Sequence, residues 1–194
     1  MADSVTQFSG GWYAAPSSTA SGTVAYTDGV LIPSKTINKS VSQATTTISA
    51  IDTNASGTKF SLEYALRCAY NVSFAGQVRA RIKWATTAGA GGAATGRIFV
   101  DVKRKDTSGN VSAIPNLSKG YGNTRSISGI SNYTENQIVV AVPASTFVPG
   151  ESLVVVIGLE IVGTAAAATL AVVVSTNPAS AGDELIIELD SGTP

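Results

Sequence analysis

The stretch QVRARIKW, Gln77 to Trp84, alternates in strict period two. Val78, Ala80, Ile82 and Trp84 fall on one side, and Gln77, Arg79, Arg81 and Lys83 on the other. A helix would scatter both sets around its axis. A strand sends successive side chains to opposite faces, so the stretch predicts a half-buried β-strand with Ile82 and Trp84 inward and three cations outward.

Working outward, the same signal recurs. TTTISAIDT (45–53) and KFSLEYALRCAY (59–70) precede the stretch, which extends to Thr87; GRIFVDVKRK (96–105), NQIVVAVPA (136–144), SLVVVIGLEIV (152–162), ATLAVVVST (168–176) and ELIIELD (184–190) follow. These eight segments are β-branched, separated by Gly, Pro, Asn and Ser, and none has a helical period. Eight strands without helical crossovers predict an all-β fold, an eight-stranded antiparallel jelly-roll sandwich over residues 43–194. Its core should hold Leu62, Tyr64, Ile82, Trp84, Val100, Val140, Ile157 and Ile187. The long polar stretch 107–133 is the main connection, with NVSAI within it a candidate extra strand.

Residues 1–42 read differently. They are rich in Gly, Ser, Ala and Pro, with isolated anchors at Phe8, Trp12, Tyr13, Tyr26 and Leu31. Asp28-Gly29 suits a tight hairpin turn. Such a segment cannot bury a core of its own, so it is expected to be an extended arm whose anchors rest on another protein surface. No basic, apolar leader opens the chain, which predicts no secretion.

Of the 194 residues, 44% are hydrophobic and only 13% charged, well under the roughly 25% of ordinary soluble proteins. That suits a surface partly covered by other protein. All thirteen basic residues lie between Lys35 and Arg125, a span holding four acids and thus carrying +9. Beyond Arg125 there are seven acids and no base, so the last third carries −7. If the strands bearing Arg79, Arg81 and Lys83 and bearing Arg97 and Lys103 pair, like charges face one another, at a cost of tenths of a kcal/mol per pair. Acids from the C-terminal third, or from a neighbouring copy, would relieve this. The five residues form an expected basic interface.

The chemistry is thin. There is no histidine, which removes the most versatile acid–base group and the commonest metal ligand. The single Cys68 sits on an apolar face and reads as a buried thiol. The Gly-rich loop AGAGGAATG (88–96) joins two strands and opens no helix, which excludes a phosphate cradle. Glu184, Glu188 and Asp190 share a strand face; glycosidase or Ca²⁺ chemistry there competes with simple protection of an edge strand. No catalytic residue, cofactor or metal is predicted. Nucleic acid is disfavoured, since only Phe99 interrupts the basic outer face and net charge is zero. SLVVVIGLEIVG (152–163) is too short to span a membrane and contains Glu160. Carbohydrate binding would need exposed aromatic rings, whereas Trp84 reads as inward and Trp12 lies in the arm.

The arm, the Val/Thr/Ala-rich strands, the absence of catalytic residues and the run TFVPGESLVVVIGLEI (146–161) together resemble the small jelly-roll structural proteins of viruses. The likeness is to capsid-decoration, fibre and collar proteins of tailed bacteriophages above all. That resemblance implies a non-enzymatic virion protein forming a homo-oligomer, often a trimer. It would dock by its arm on the major capsid protein or another virion protein. The alternative is a phage tail or fibre component that binds host-surface carbohydrate.

Overall fold

The computed structural model describes residues 9–16, 29–33, 45–87, 94–127, 134–165, 169–175 and 186–191. Among these the chain is all-β, with thirteen strands and no helix. They are β1 (Ser9–Pro16), β2 (Gly29–Pro33), β3 (Thr45–Asp52), β4 (Gly57–Arg67), β5 (Val72–Thr87), β6 (Thr95–Lys105), β7 (Val111–Ala113), β8 (Gly120–Tyr121), β9 (Arg125–Ser126), β10 (Thr134–Phe147), β11 (Ser152–Gly163), β12 (Thr169–Ser175) and β13 (Ile186–Ser191). All eight segments read from the sequence are strands, and NVSAI supplies β7. The expected eight-stranded jelly roll nonetheless gives way to a larger, curled sheet in which five short strands join the eight.

β5 is its hub. One edge pairs antiparallel with β10, from Thr134 opposite Trp84 to Phe147 opposite Val72. The other edge takes β13 over Gly76–Arg81 and then β12 over Lys83–Thr87. From β13 the sheet continues through β1, β2, β4 and β11 to β6, while β3 flanks β12 and β7, β8 and β9 line the far edge of β6. Every pairing is antiparallel except a two-residue parallel contact between β2 and β4.

The described part of the expected arm therefore contributes two strands to the same sheet. Trp12 and Tyr13 lie in β1, opposite Ile187 and Ile186, and Leu31 lies in β2 opposite Ala14. Phe8 and Tyr26 fall outside the described residues. Gly29 stands opposite Pro16, and the expected hairpin around Asp28-Gly29 in TVAYTDGVLIP falls, but for Gly29–Pro33, outside the described residues.

The curled sheet encloses a core in which Val78, Ala80, Ile82, Trp84, Ile98, Val100, Val102, Val155, Ile157 and Leu159 are all fully buried. Ile138, Val140 and Val142 of β10 belong to the same cluster, so strands distant in the sheet order meet through their inner faces. Of the expected core, Tyr64, Ile82, Trp84, Val100, Val140 and Ile157 are buried. The Leu62 and Ile187 side chains lie outside the described residues.

Local chemistry sets the connections. Pro143 has no N–H to give a ladder, and the β10–β5 register shifts between Val142 and Ser145, a bulge that accommodates it. Val148 to Glu151 is the expected type II turn: Gly150 takes φ of 91°, and Glu151 N–H donates to Val148 O at 3.1 Å. The β6–β7 hairpin is organised by Asp106. Its Oδ1 accepts from the N–H of Ser108 (2.9 Å) and Asn110 (2.8 Å), and its Oδ2 from Asn110 Nδ2 (2.9 Å).

The Asn110 side chain, joined by these backbone donors, holds the Asp106 carboxyl below its ordinary value. A depressed folded pKa stabilises the fold above the unfolded value of about 3.9, and that stabilisation is lost as pH falls through the folded value. The protection of the Ser108 and Asn110 amides, taken relative to their intrinsic exchange rates, should therefore fall in wild type on acidification below about pH 4. Asp106→Ala should show fast exchange at neutral pH already. Equal protection in the two proteins at pH 7 would contradict this account of the hairpin.

Candidate functional site

The outer face of β4, β11 and β6 is more than a solvated surface. Along β6 the outward positions are Arg97, Phe99, Asp101, Lys103 and Lys105. Across the ladder Phe99 stands opposite Gly158, Asp101 opposite Val156, and Lys103 opposite Val154. Phe99, Val154 and Val156 form a second apolar cluster, each at most 2% exposed, with Ala65 of β4 packed against it. Phe99 points outward as the alternation requires, yet it is not open to solvent. Gly158 makes this possible, because a Cβ there would lie 2.5 Å from Phe99 Cζ. The bare glycine backbone lets the ring lie against the strand.

On the other side of Phe99, β8 places Tyr121 directly opposite in the ladder. The two rings meet edge to face, with centroids 6.4 Å apart and planes at 61°. Arg97, two residues before Phe99 and on the same face, lays its guanidinium 3.7 Å from the Tyr121 ring centroid. Its Nε donates to Glu160 Oε2 at 2.7 Å, and Glu160 is its cross-strand neighbour on β11. Lys119 brings Nζ to 4.5 Å from the Phe99 ring centroid. An exposed ion pair contributes about 0–1 kcal/mol and a surface cation–π contact about 0.5–1 kcal/mol. Their value here is geometric: ring, fork and carboxylate fix one another. Tyr121 remains 42% exposed. The Nη groups of Arg97 meet no acceptor among the described residues.

A second cation is used structurally. Arg104 Nη2 donates to Thr146 O at 2.6 Å, its guanidinium lies 4.8 Å from the Phe147 ring centroid, and Nη1 comes within 3.9 Å of Glu151 Oε1. Glu151 Oε2 in turn accepts from Val148 N–H at 2.9 Å. This set clips the end of β6 to the β10–β11 turn.

The two strands that carry the expected basic interface do not pair. β5 and β6 are not neighbours, so Arg79, Arg81 and Lys83 do not face Arg97 and Lys103, and the anticipated like-charge repulsion does not arise. Instead the ladders interleave the basic and acidic parts of the chain. Glu188 stands opposite Arg79, Glu135 opposite Lys83 and Glu160 opposite Arg97, while Arg81 is opposite Gln137 and Ile186. Arg79 also donates to Gln77 Oε1 at 3.2 Å. Of the C-terminal acids, Glu188 and Asp190 occupy alternate positions of β13, and Glu184 falls outside the described residues. Tyr121, Lys119 and Glu160 were not singled out from sequence. The available signal was Tyr121 flanked by two glycines between Lys119 and Arg125.

Reaction chemistry has little to work with. Cys68 is 4% exposed, and burial pushes its thiol up, which suppresses the nucleophilic thiolate. Among the described residues no group of three or more Cys, Asp or Glu side chains could hold a metal ion.

No protein-family model matches the chain, and no curated protein does either. Solved structures do resemble it. Two structures of a CocE/NonD family hydrolase from Staphylococcus aureus superpose with TM-scores of 0.55 and 0.58, at 10% and 11% sequence identity. In both, the likeness covers 94% of this chain and 36% of the hydrolase chain. At that identity the likeness is one of fold. It corrects the reading of the chain as a capsid-decoration protein, or as a phage tail or fibre component. The strand-rich fold behind that reading is also found over 36% of these hydrolase chains.

Proposed function

We propose that this chain is a non-catalytic β-domain, a binding module whose fold is also used as one part of larger hydrolases. The observation that carries this is a fold shared with part of larger hydrolases, in a chain that has no histidine. Acyl transfer needs a nucleophile activated by an adjacent base, most often histidine. This chain has no histidine, and its one thiol is sealed in the core. The hydrolases it resembles are nearly three times as long as the matched region, which leaves ample chain for catalysis elsewhere. What the described surface offers is a fixed cation–aromatic cluster, suited to binding and not to bond cleavage.

The test is direct. The chain, offered p-nitrophenyl acetate and butyrate across pH 6–9, should show no saturable turnover above buffer. It should also take up no label from a fluorophosphonate probe. Saturable hydrolysis that a single substitution abolishes would establish an enzyme and refute this reading.

A further inference from the structure

We infer that the surface formed by Arg97, Tyr121 and Lys119 binds a uronate residue of an acidic polysaccharide. This rests on the reading of the chain as a binding module. Tyr121 fixes the plane of the Arg97 guanidinium at 3.7 Å, and Glu160 occupies its Nε at 2.7 Å. The remaining edge, two Nη groups with four N–H donors, is therefore pre-oriented and meets no acceptor among the described residues. Such an edge matches a carboxylate bidentately. Lys119, which makes no ion pair among the described residues, adds a second cation beside it. Tyr121, 42% exposed, carries the guanidinium over one ring face and meets the buried Phe99 edge to face, so what it adds beside the cation is the exposed remainder of the ring with its hydroxyl.

A uronate offers the complement in one rigid ring: a carboxylate for Arg97 and Lys119, and C–H and hydroxyl groups for the part of Tyr121 that the guanidinium leaves exposed. The alternatives fit less well. An extended peptide would add along a strand edge, but the β6 edge beside Phe99 is already paired with β8. A single-stranded nucleic acid needs successive open rings, and Phe99 is only 2% exposed.

The experiment is affinity electrophoresis and calorimetry of the full chain with polygalacturonate. Neutral dextran, dextran sulfate and poly-L-glutamate are run in parallel at about 0.1 M salt, where charge alone is partly screened. Wild type should bind polygalacturonate, ignore dextran, and bind the other two polyanions at least about tenfold more weakly. Tyr121→Ala and Arg97→Met should each weaken binding about tenfold or more. Lys59→Gln, on a different strand, should leave it within about twofold. Lys119→Gln, a fully exposed position, keeps the test open should Arg97→Met disturb folding.

Absence of binding to polygalacturonate overturns the inference. So does binding that Tyr121→Ala leaves intact, or equal affinity for poly-L-glutamate or dextran sulfate, which would mean a peptide or simple charge. Release of reducing ends is measured in the same tubes. Cleavage there would refute the non-catalytic reading, whereas lack of both cleavage and binding would remove this site alone.

Discussion

Trp84→Ala should cost the fold about 3–5 kcal/mol, the largest effect expected of any single substitution here. Trp84 is the largest side chain in the core that is completely buried. It stands in β5 where Thr134 of β10 and Val174 of β12 flank it on either side of the ladder. The hole left by its ring would open where three strands meet, and fixed backbones cannot close it. In a domain of this length such a loss lowers the thermal midpoint by roughly 10–15 °C. Trp84→Phe separates packing from polarity. The indole Nε1–H has no hydrogen-bond acceptor among the described residues, and a buried orphan donor costs about 1–3 kcal/mol. Phenylalanine removes that donor and leaves a cavity term of only about 1 kcal/mol, so the variant should lie close to wild type. Urea melts of the two variants decide it. An alanine cost below about 1 kcal/mol would contradict the burial of Trp84.

Gly158→Ala comes second. A methyl there would lie 2.4 Å from the carbonyl oxygen of Phe60 and 2.5 and 2.6 Å from two carbons of the Phe99 ring. The ring can swing aside, but the carbonyl belongs to β4, which pairs with β11 through this region. Relief requires opening a ladder or tilting a strand, at about 1–3 kcal/mol. Phe99→Leu combined with Gly158→Ala removes only the softer clash and should restore part of the loss. If Gly158→Ala alone melts like wild type, the close approach at this position is wrong.

Alternation made the long strands legible, because a period of two over seven or more residues has no competing explanation. It also assigned sides correctly: Trp84 in, Phe99 and Arg97 out. It carried no information about neighbours. β5 and β6 are consecutive, yet β5 pairs with β10, β12 and β13, so the like-charge ladder expected from their adjacency does not form. β1 was hidden by Gly, Ala and Ser, which carry weak strand signal, and β2 is only the five residues GVLIP. NVSAI pointed to β7, but β8 and β9, two residues each, are too short for any period to show. They owe their strand conformation to the waiting edge of β6. Tyr121 was missed with them. Its partners, Phe99 across the ladder and Arg97 above the ring, come together only once that edge is filled.

The pairing of β1 with β13 has a consequence in time. Ser9 stands opposite Asp190, so β1 is completed by a segment synthesised far later. While the chain emerges, β1 can pair with β2 alone, and one row of its N–H and C=O groups waits for a partner roughly 170 residues downstream. β5 is in the same position, since β10, β12 and β13 all follow it. Closure of so distant a contact is slow compared with local hairpins, and open strand edges in the interval invite pairing with other chains. The order in which the ribosome delivers these strands thus makes the arrival of β13 the event that seals the sheet.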